Sequence, residues 1–235
     1  MKLRVSRALK VVIKLGGFAF TGEMDEQLIG EYGKVLNEIH SRGHGVAVVT
    51  GGGRRARSYI EAARRLGGTE TVCDQIGILV SKINALTLIS SIGDAASPIV
   101  PNTLREAVYI FQAGKIAVSG GLSPAQSTNA VAALIAEAVK ADVLIHLTDV
   151  EGVYDRDPKR FPDARKMDHV SIGELRSLIS PTGIRAGGYT LMDPTALGVI
   201  ERSKLRVRVA SGLDPWNVKR IIQGEQVGTS IQVEA

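Results

Sequence analysis

Short apolar runs rich in valine, isoleucine and leucine alternate along the chain with longer segments of helical periodicity. The runs predict strands over residues 10–15, 45–50, 115–119, 143–148 and 205–210. Because each run is almost entirely apolar, rather than alternating between apolar and polar positions, we expect both faces of these strands to be covered. The predicted strands therefore form the middle layer of the fold.

Two segments between the strands carry an apolar stripe at helical spacing. The first stripe consists of Leu28, Tyr32, Val35, Leu36 and Ile39, and the second of Val131, Leu134, Ile135, Ala138 and Val139. Recurrence every three or four residues predicts amphipathic helices that pack their apolar faces into the core. A further helix is predicted to begin after Asp193, a favourable N-cap before Pro194, and to run to about Lys204.

Strands that alternate with helices in this way predict an α/β fold, a three-layer α/β/α sandwich with a mostly parallel open sheet. Ligands of such sheets bind at the carboxyl ends of the strands. The sequence has no internal repeat and no low-complexity linker, so we expect a single domain over residues 1–235. Two lobes, if present, would meet near residues 114–127. The longest irregular stretch, about 149–170, has a length that is often functional.

Composition narrows the class of protein. The chain has 235 residues, of which 44% are hydrophobic, which suits a substantial core without disulfides. Cys73 is the single cysteine, so no internal disulfide can form, as is usual in a reducing cytosol. The net charge is +5 and only 4% of residues are aromatic, leaving few platforms for stacked bases. We therefore expect small anionic substrates and no nucleic acid.

Two apolar stretches are too short or too interrupted to be export or membrane segments. The run 11–13 ends at Lys14, well short of a signal-peptide core, which needs about 7 to 15 apolar residues. The stretch 130–147 is interrupted by charged residues, including Glu137 and Asp142. We therefore expect a cytoplasmic protein without a membrane segment.

Three glycine-rich junctions follow predicted strands where a helix is expected to begin. Junction 14–17 places a lysine before two glycines, 50–57 places three glycines before three arginines, and 120–128 ends in residues able to cap a helix. Backbone N–H groups at such helix starts bind phosphate. Each junction alone could be a turn, a solvated charge or a cap. Because parallel strands share their carboxyl edge, we expect all three to converge on one anion site.

The motifs of these junctions resemble a known family. Lys14-x-Gly16-Gly17, the Thr-Gly-Gly-Gly of 50–53 and the Thr-Asp-Val-Glu-Gly-Val-Tyr-Asp-Arg-Asp-Pro of 148–158 resemble the amino acid kinase superfamily, the last being similar to its adenine-nucleotide loop. Within that superfamily, 120–128 and the Leu-Met-Asp-Pro of 191–194, with Glu-Arg-Ser at 201–203, resemble archaeal-type UMP kinases. The resemblance extends from about 10 to 231.

The resemblance implies a role for individual residues. ATP would be bound by Lys14, Gly16, Gly17, Gly53, Arg57, Thr148, Tyr154 and Asp157, the last three holding its nucleoside end. UMP would be bound by Gly52, Asp74, Gly121, Leu122, Ser123, Pro124, Ala125, Gln126, Ser127 and Thr128, with Asp74 near the ribose. Lys14 and Arg57 are the expected catalytic residues. Without the resemblance, Asp74 is interpreted as a helix N-cap before Gln75.

The implied reaction is transfer of the γ-phosphoryl group of Mg-ATP to UMP, giving UDP and ADP in pyrimidine biosynthesis. The resemblance also implies a homohexamer, an acceptor-binding lobe over about 1–125 and an ATP-binding lobe over about 126–235. Mg²⁺ would be bound mainly through the ATP phosphates, without a dedicated metal site. The acceptor phosphate has a second pKa near 6 and needs no catalytic base, so we expect no role for the histidines.

Two residues depart from the family pattern. Ala125 stands where glycine is usual, and its methyl group would crowd the acceptor pocket if the backbone there has positive φ. Asp149 stands where this subfamily often has asparagine. Two alternatives therefore stay open: a superfamily kinase for another acceptor, such as isopentenyl phosphate, carbamate or N-acetylglutamate, and a non-catalytic nucleotide- or oxoanion-binding relative. A dinucleotide oxidoreductase is disfavoured because GxGxxG is missing.

Overall fold

The computed structural model describes residues 7–21, 24–178 and 192–233. The described strands are β1 (Lys10–Leu15), β2 (Gly45–Thr50), β3 (Ala117–Ser119), β4 (Val143–Thr148), β5 (Val153–Tyr154), β6 (Lys166–Met167), β7 (His169–Ser171), β8 (Val207–Ser211) and β9 (Thr229–Gln232). The described helices are α1 (Glu26–Ser41), α2 (Gly53–Arg65), α3 (Glu70–Ile92), α4 (Leu104–Gln112), α5 (Thr128–Val139), α6 (Ile172–Leu178), α7 (Pro194–Arg202) and α8 (Asn217–Ile222).

The main sheet has the strand order β3-β2-β1-β4-β8-β9-β7. Its pairs are parallel except β8 with β9, so the predicted mostly parallel open sheet is confirmed. Strand β1 lies between β2 and β4, and Lys14 is opposite Val49 of β2 and His146 of β4. The central strands thus bring their carboxyl ends together at one edge.

Both faces of the sheet are covered, which explains why the strand sequences are continuously apolar. Val12, Val49 and Leu144 belong to one buried cluster, on the side where α5 packs on β1, β2 and β4. Ile13 and Ile145 belong to a second cluster on the opposite side, where α1 and α3 pack. The three-layer α/β/α sandwich is therefore confirmed.

The strand boundaries differ from the prediction at two places. Strand β3 begins at Ala117 rather than at 115, because Ile116 forms only an isolated bridge with Ala96. Strand β8 begins at Val207 rather than at 205, because the N–H of Leu205 donates to the carbonyl of Ile200 and so closes the preceding helix.

The predicted helical stripes are confirmed, and their caps explain where the helices begin. Leu28 and Leu134 are partly buried, and most of the remaining stripe residues are buried. Asp193 caps α7 by accepting from the N–H of Ala196 at 3.0 Å. Helix α7 ends at Arg202 rather than near Lys204, because Lys204 adopts left-handed backbone with φ 49°.

Two sequence-based expectations are wrong: that Asp74 is a helix N-cap, and that the stretch of about 149–170 is irregular. Asp74 does not cap a helix: α3 begins at Glu70, and Thr69 is its N-cap, accepting from the N–H of Val72. The stretch 149–170 is not wholly irregular, since β5 and β6 pair antiparallel within it.

Helix α3 with the turn after it, Glu70–Ala95, is long and apolar enough to cross a membrane by length and composition, with a mean hydropathy of 1.6 in its most apolar window. It is the one helix of that kind in the described part of the chain. Only 33% of that window is buried, although α3 packs against α1 and α2. Core helices of globular proteins commonly meet the same criterion, so length and composition alone do not assign it to a membrane.

Candidate functional site

The carboxyl ends of β1, β2, β3 and β4 open onto one cleft of about 760 Å³. The predicted convergence of the three glycine junctions is observed. Predicted site residues that line the cleft are Lys14, Gly16, Gly17, Gly52, Gly53, Arg57, Asp74, Gly121, Ser123, Gln126, Thr128, Thr148 and Asp157. A groove of about 710 Å³ lies at the opposite edge of the sheet, but it contains no glycine junction. The chemistry predicted from sequence therefore belongs to the first cleft.

The first two junctions pack backbone against backbone. A Cβ on Gly17 would lie 2.5 Å from the Cα of Gly53, and a Cβ on Gly53 would lie 2.4 Å from the carbonyl oxygen of Phe20. Gly53 also has φ 68°, which side chains rarely adopt. It is the first residue of α2, so the start of that helix faces the cleft with bare backbone, as a phosphate site requires.

Lys14 is partly buried near the carboxyl end of β1. Burial lowers the pKa of its ammonium group from 10.5 to about 8, and the charges of Asp193 and Asp149 partly oppose that shift. The ammonium is therefore mostly protonated at neutral pH yet close to losing its proton. A desolvated cation in this position is suited to an anion with several negative charges.

Asp193 connects the starts of α5 and α7. One of its oxygens caps α7, and the other accepts a hydrogen bond from the hydroxyl of Ser127. Ser127 in turn caps α5 by accepting from the N–H of Ala130 at 3.0 Å, so its predicted capping role is confirmed. Two helix N-termini and one carboxylate are thus held together close to Lys14. Sequence spacing did not reveal this contact, because it joins residues 66 positions apart.

The loop after β4 supplies a second cation that the sequence analysis missed. Lys159 forms an ion pair with Asp149, and both residues line the cleft. Asp149 also accepts from the hydroxyl of Thr148 at 3.2 Å. The only sequence signal for Lys159 was its place just after Asp157-Pro158 in the nucleotide-loop motif.

Helix α3 fixes the third glycine junction, residues 120–128, through two hydrogen bonds. The N–H of Gly121 donates to the hydroxyl of Ser81 at 2.8 Å, and the N–H of Ala125 donates to the carboxylate of Asp74 at 2.8 Å. Ala125 has φ 61°, so the positive φ considered from the sequence is present, and the alanine adopts it. The segment is therefore built, at some backbone strain, around two contacts with one helix.

Five predicted site residues do not line the cleft. Leu122 packs against a buried cluster, and Pro124 is exposed. Ala125 donates to Asp74, and Ser127 donates to Asp193. Tyr154 is half-buried in β5. Leu191, in one of the motifs, lies outside the described residues. Lining residues that the sequence analysis did not single out include Phe18, Thr21, Arg54, Ile60, Ile78, Asn129, His146 and Lys159.

His146 is the unexpected member of this set, because no histidine was given a role from the sequence. It is 4% exposed, and burial followed by the charge of Lys14 lowers its pKa well below the usual value. Its imidazole is therefore neutral near pH 7. The signal that could have found it is the register of two predicted strands, which places it opposite Lys14.

An open, mostly parallel sheet whose glycine junctions surround a partly buried lysine and a helix N-terminus defines an α/β protein that binds phosphorylated ligands at its carboxyl edge. The sequence profile of the amino acid kinase family matches residues 10–211, and the chain belongs to that family.

Relatives within the family cover almost the whole chain. Uridylate kinase of Methanothermobacter thermautotrophicus is 43% identical over 95% of this chain and 99% of its own length. Uridylate kinase of Methanocaldococcus jannaschii is 40% identical over 95% of this chain and 100% of its own length. The crystal structure of uridylate kinase from Archaeoglobus fulgidus matches with a TM-score of 0.84 at 41% identity, covering 95% of this chain and 100% of that one. The resemblance to archaeal-type UMP kinases is thereby confirmed.

Proposed function

We propose that this protein is a UMP kinase, which transfers the γ-phosphoryl group of Mg-ATP to the 5′-phosphate of UMP and releases UDP and ADP. The observation that carries the reaction type is Lys14, a protonated lysine of depressed pKa in a cleft walled by bare glycine backbone. Near-complete coverage by curated uridylate kinases supports UMP as the acceptor. In this role the protein acts in the cytoplasm, in pyrimidine nucleotide synthesis.

ATP binds, in this proposal, along the edge formed by β1, the start of α2 and the loop after β4. Gly16, Gly17 and Gly53 present backbone to the phosphates, and Lys14 and Arg57 supply positive charge. Thr148, Tyr154 and Asp157 hold the nucleoside end. Lys159 is added to this set, because its ammonium lines the cleft beside Asp149.

UMP binds, in this proposal, between α3 and the third junction. Gly52, Asp74, Gly121, Ser123, Gln126 and Thr128 line that part of the cleft. Leu122, Pro124, Ala125 and Ser127 shape the segment from outside the cleft. The proposed ATP-binding lobe, about 126–235, holds the nucleoside end of ATP. The proposed acceptor-binding lobe, about 1–125, supplies most of the UMP site and also the residues that bind the ATP phosphates.

The chemical step needs alignment and neutralisation of charge more than it needs covalent catalysis. Lys14 neutralises negative charge that develops on the transferred group. The acceptor phosphate is itself the nucleophile, since its second pKa near 6 leaves it ionised at neutral pH. No side chain is required as a general base.

Mg²⁺ is carried mainly by the ATP phosphates, as is usual for this ion. The chemistry of the cleft fits that arrangement. Among the described residues, three carboxylates line it, and each is already engaged. Asp74 accepts from the N–H of Ala125, Asp149 is paired with Lys159, and Asp157 accepts from the backbone N–H of Lys159 at 3.0 Å. When bound, the ion would neutralise part of the phosphate charge.

We further propose that the protein assembles with itself, as a homohexamer. Helices α2 and α3 expose large apolar side chains, and exposed apolar patches of this kind mark interaction surfaces. They include Tyr59 at 62% exposure, Leu79 at 61%, Ile83 at 59% and Leu86 at 50%. Replacing Leu79 and Ile83 by glutamate should lower the mass measured in solution by light scattering. An unchanged mass would reject this surface, and a monomeric unmodified protein would reject the assembly.

The acceptor is tested by mixing the protein with Mg-ATP and, separately, UMP, CMP, AMP and isopentenyl phosphate, and measuring ADP release. Release with UMP alone is the expected result. Release only with another acceptor would keep the ATP site and replace the substrate. Binding of ATP and UMP without any ADP release would instead favour a non-catalytic nucleotide-binding protein.

A further inference from the structure

His146 occupies a position in the sheet where the residues on either side of it along the strand are both apolar. Strand β4 has the sequence Val-Leu-Ile-His-Leu-Thr, and the residues on either side of the histidine, Ile145 and Leu147, are fully buried. An imidazole that is only 4% exposed loses most of its contact with water and gains nothing from packing that leucine or valine would not supply. A polar partner is therefore needed to account for it.

The register of the sheet places that partner beside it. His146 is directly opposite Lys14 on β1 and opposite Val209 on β8. In a parallel sheet, residues in register project from the same face, so the imidazole and the lysine stem lie side by side. Both line the cleft, and the opposite neighbour, Val209, can offer no hydrogen bond.

Both polar groups lack a hydrogen-bond partner in the part of the chain that the structure describes. The Lys14 ammonium donates to no acceptor there, although the charges of Asp193 and Asp149 are close enough to act on it. The imidazole of His146 likewise makes no hydrogen bond. A neutral imidazole carries one acceptor nitrogen, and an ammonium carries three donors, so the two groups are complementary.

We propose that His146 is a positioning residue for Lys14: when the nucleotide binds, the neutral imidazole accepts a hydrogen bond from the Lys14 ammonium and holds it towards the transferred phosphoryl group. This inference rests on the role of Lys14 in the proposed function. Holding one of the three N–H groups leaves the other two for phosphate oxygens. Catalytic hydrogen bonds are often long without substrate and shorten in the complex, as this arrangement requires.

Steady-state kinetics of two variants, with ATP and UMP both varied, test the proposal. His146→Leu removes the acceptor but keeps an apolar side chain of similar size, and it should lower kcat at least tenfold while KM for UMP changes less than twofold. His146→Gln keeps a polar acceptor and should retain kcat within about threefold of the unmodified enzyme. Equal kcat for His146→Leu and the unmodified enzyme would overturn the proposal, as would failure of glutamine to exceed leucine.

A double-mutant cycle separates this inference from the proposed function. If His146 acts through Lys14, His146→Leu should cause no further loss in a Lys14→Ala background, whereas additive losses would mean that it acts independently. If Lys14→Ala itself leaves kcat unchanged, the proposed role of Lys14 fails. If Lys14→Ala is slow while His146→Leu is normal, only the present inference fails.

His44 provides the matched control. It is also buried, with a pKa lowered by burial, but it lies at the amino end of β2 and accepts from the N–H of Leu9 at 3.0 Å. His44→Leu should lower the melting temperature and leave kcat within twofold. A large loss of kcat in this control would show that kcat responds to core disruption generally, and the loss in His146→Leu would then not support positioning.

Discussion

Asp74, in the second turn of α3, accepts a hydrogen bond from the backbone N–H of Ala125 at 2.8 Å. The contact joins residues 51 positions apart and fixes the middle of the third glycine-rich junction against a rigid helix. Asp74 is half-buried and also lines the cleft. One carboxylate therefore shapes the acceptor segment and borders the space in which the acceptor is proposed to bind.

Replacing Asp74 should weaken binding of the acceptor, UMP, more than binding of the donor, ATP. Asp74→Ala removes the hydrogen bond that fixes Ala125 and a carboxylate in the UMP part of the cleft. We expect KM for UMP to rise at least tenfold, about 1.4 kcal/mol of lost binding, with KM for ATP changed less than threefold. Steady-state kinetics with each substrate varied measure both constants. Equal effects on the two substrates would contradict the division of the cleft.

Ala125→Gly tests the strain in that segment. Alanine at φ 61° is unfavourable, and glycine removes the steric cost, which outweighs the greater freedom of glycine in the unfolded chain. We expect a gain of about 0.5 to 1 kcal/mol in the free energy of unfolding, a rise in melting temperature of about 2 °C, and an unchanged KM for UMP. The same exchange at Ala138, an exposed position inside α5, should lower stability by about 1 kcal/mol. A loss at both positions would mean that Ala125 is not strained.

Arg57→Ala should weaken binding of the donor nucleotide. Arg57 is exposed in the first turns of α2 and lines the cleft, so its charge is available to the ATP phosphates. We expect KM for ATP to rise about five- to tenfold, as loss of one charge-assisted hydrogen bond implies. Arg65→Ala, on the same helix but away from the cleft, is the control and should change neither KM. Unchanged nucleotide affinity in Arg57→Ala would remove this residue from the site.

The depressed pKa of Lys14 predicts how the rate depends on pH. Because the ammonium loses its proton as the pH rises through about 8, kcat/KM for ATP, which reports the free enzyme, should fall about tenfold per pH unit above that value. Below about pH 8 the Lys14 ammonium stays charged, so kcat/KM should not fall there through loss of this proton. Arginine stays protonated throughout, so Lys14→Arg should lack the alkaline limb whatever its overall rate. A limb that persists at the same pH in Lys14→Arg would assign the titration to another group.

Most of the fold was predictable because its signals are local. Spacing within a dozen residues predicts the strands that precede the glycine junctions. It also predicts the apolar stripes of α1 and α5 and the cap at Asp193. The prediction that Asp74 caps a helix was wrong because it, too, used only local signals, and more than one nearby residue satisfies them. Thr69 and Asp74 are both favourable cap residues, and α3 begins after Thr69, so that the turn before Asp74 is already part of the helix that packs against α2.

The parts of the site that escaped prediction depend on contacts between distant segments. The bond from Ser127 to Asp193, the ion pair of Lys159 with Asp149 and the pairing of His146 with Lys14 depend on how loops close and how strands align. Sequence spacing carries no information on such distances. Strand register could have indicated the last of them, since both strands were predicted with correct bounds.

The central claim is that the γ-phosphoryl group passes to UMP in the cleft that contains Lys14. The most direct measurement follows γ-labelled ATP into products with the unmodified enzyme and with Lys14→Ala, while calorimetry records UMP binding. We predict label in UDP with the unmodified enzyme, and a rate at least a hundredfold lower with Lys14→Ala although UMP still binds. Label appearing in UDP at the same rate in the variant, or appearing only in inorganic phosphate, would contradict the account.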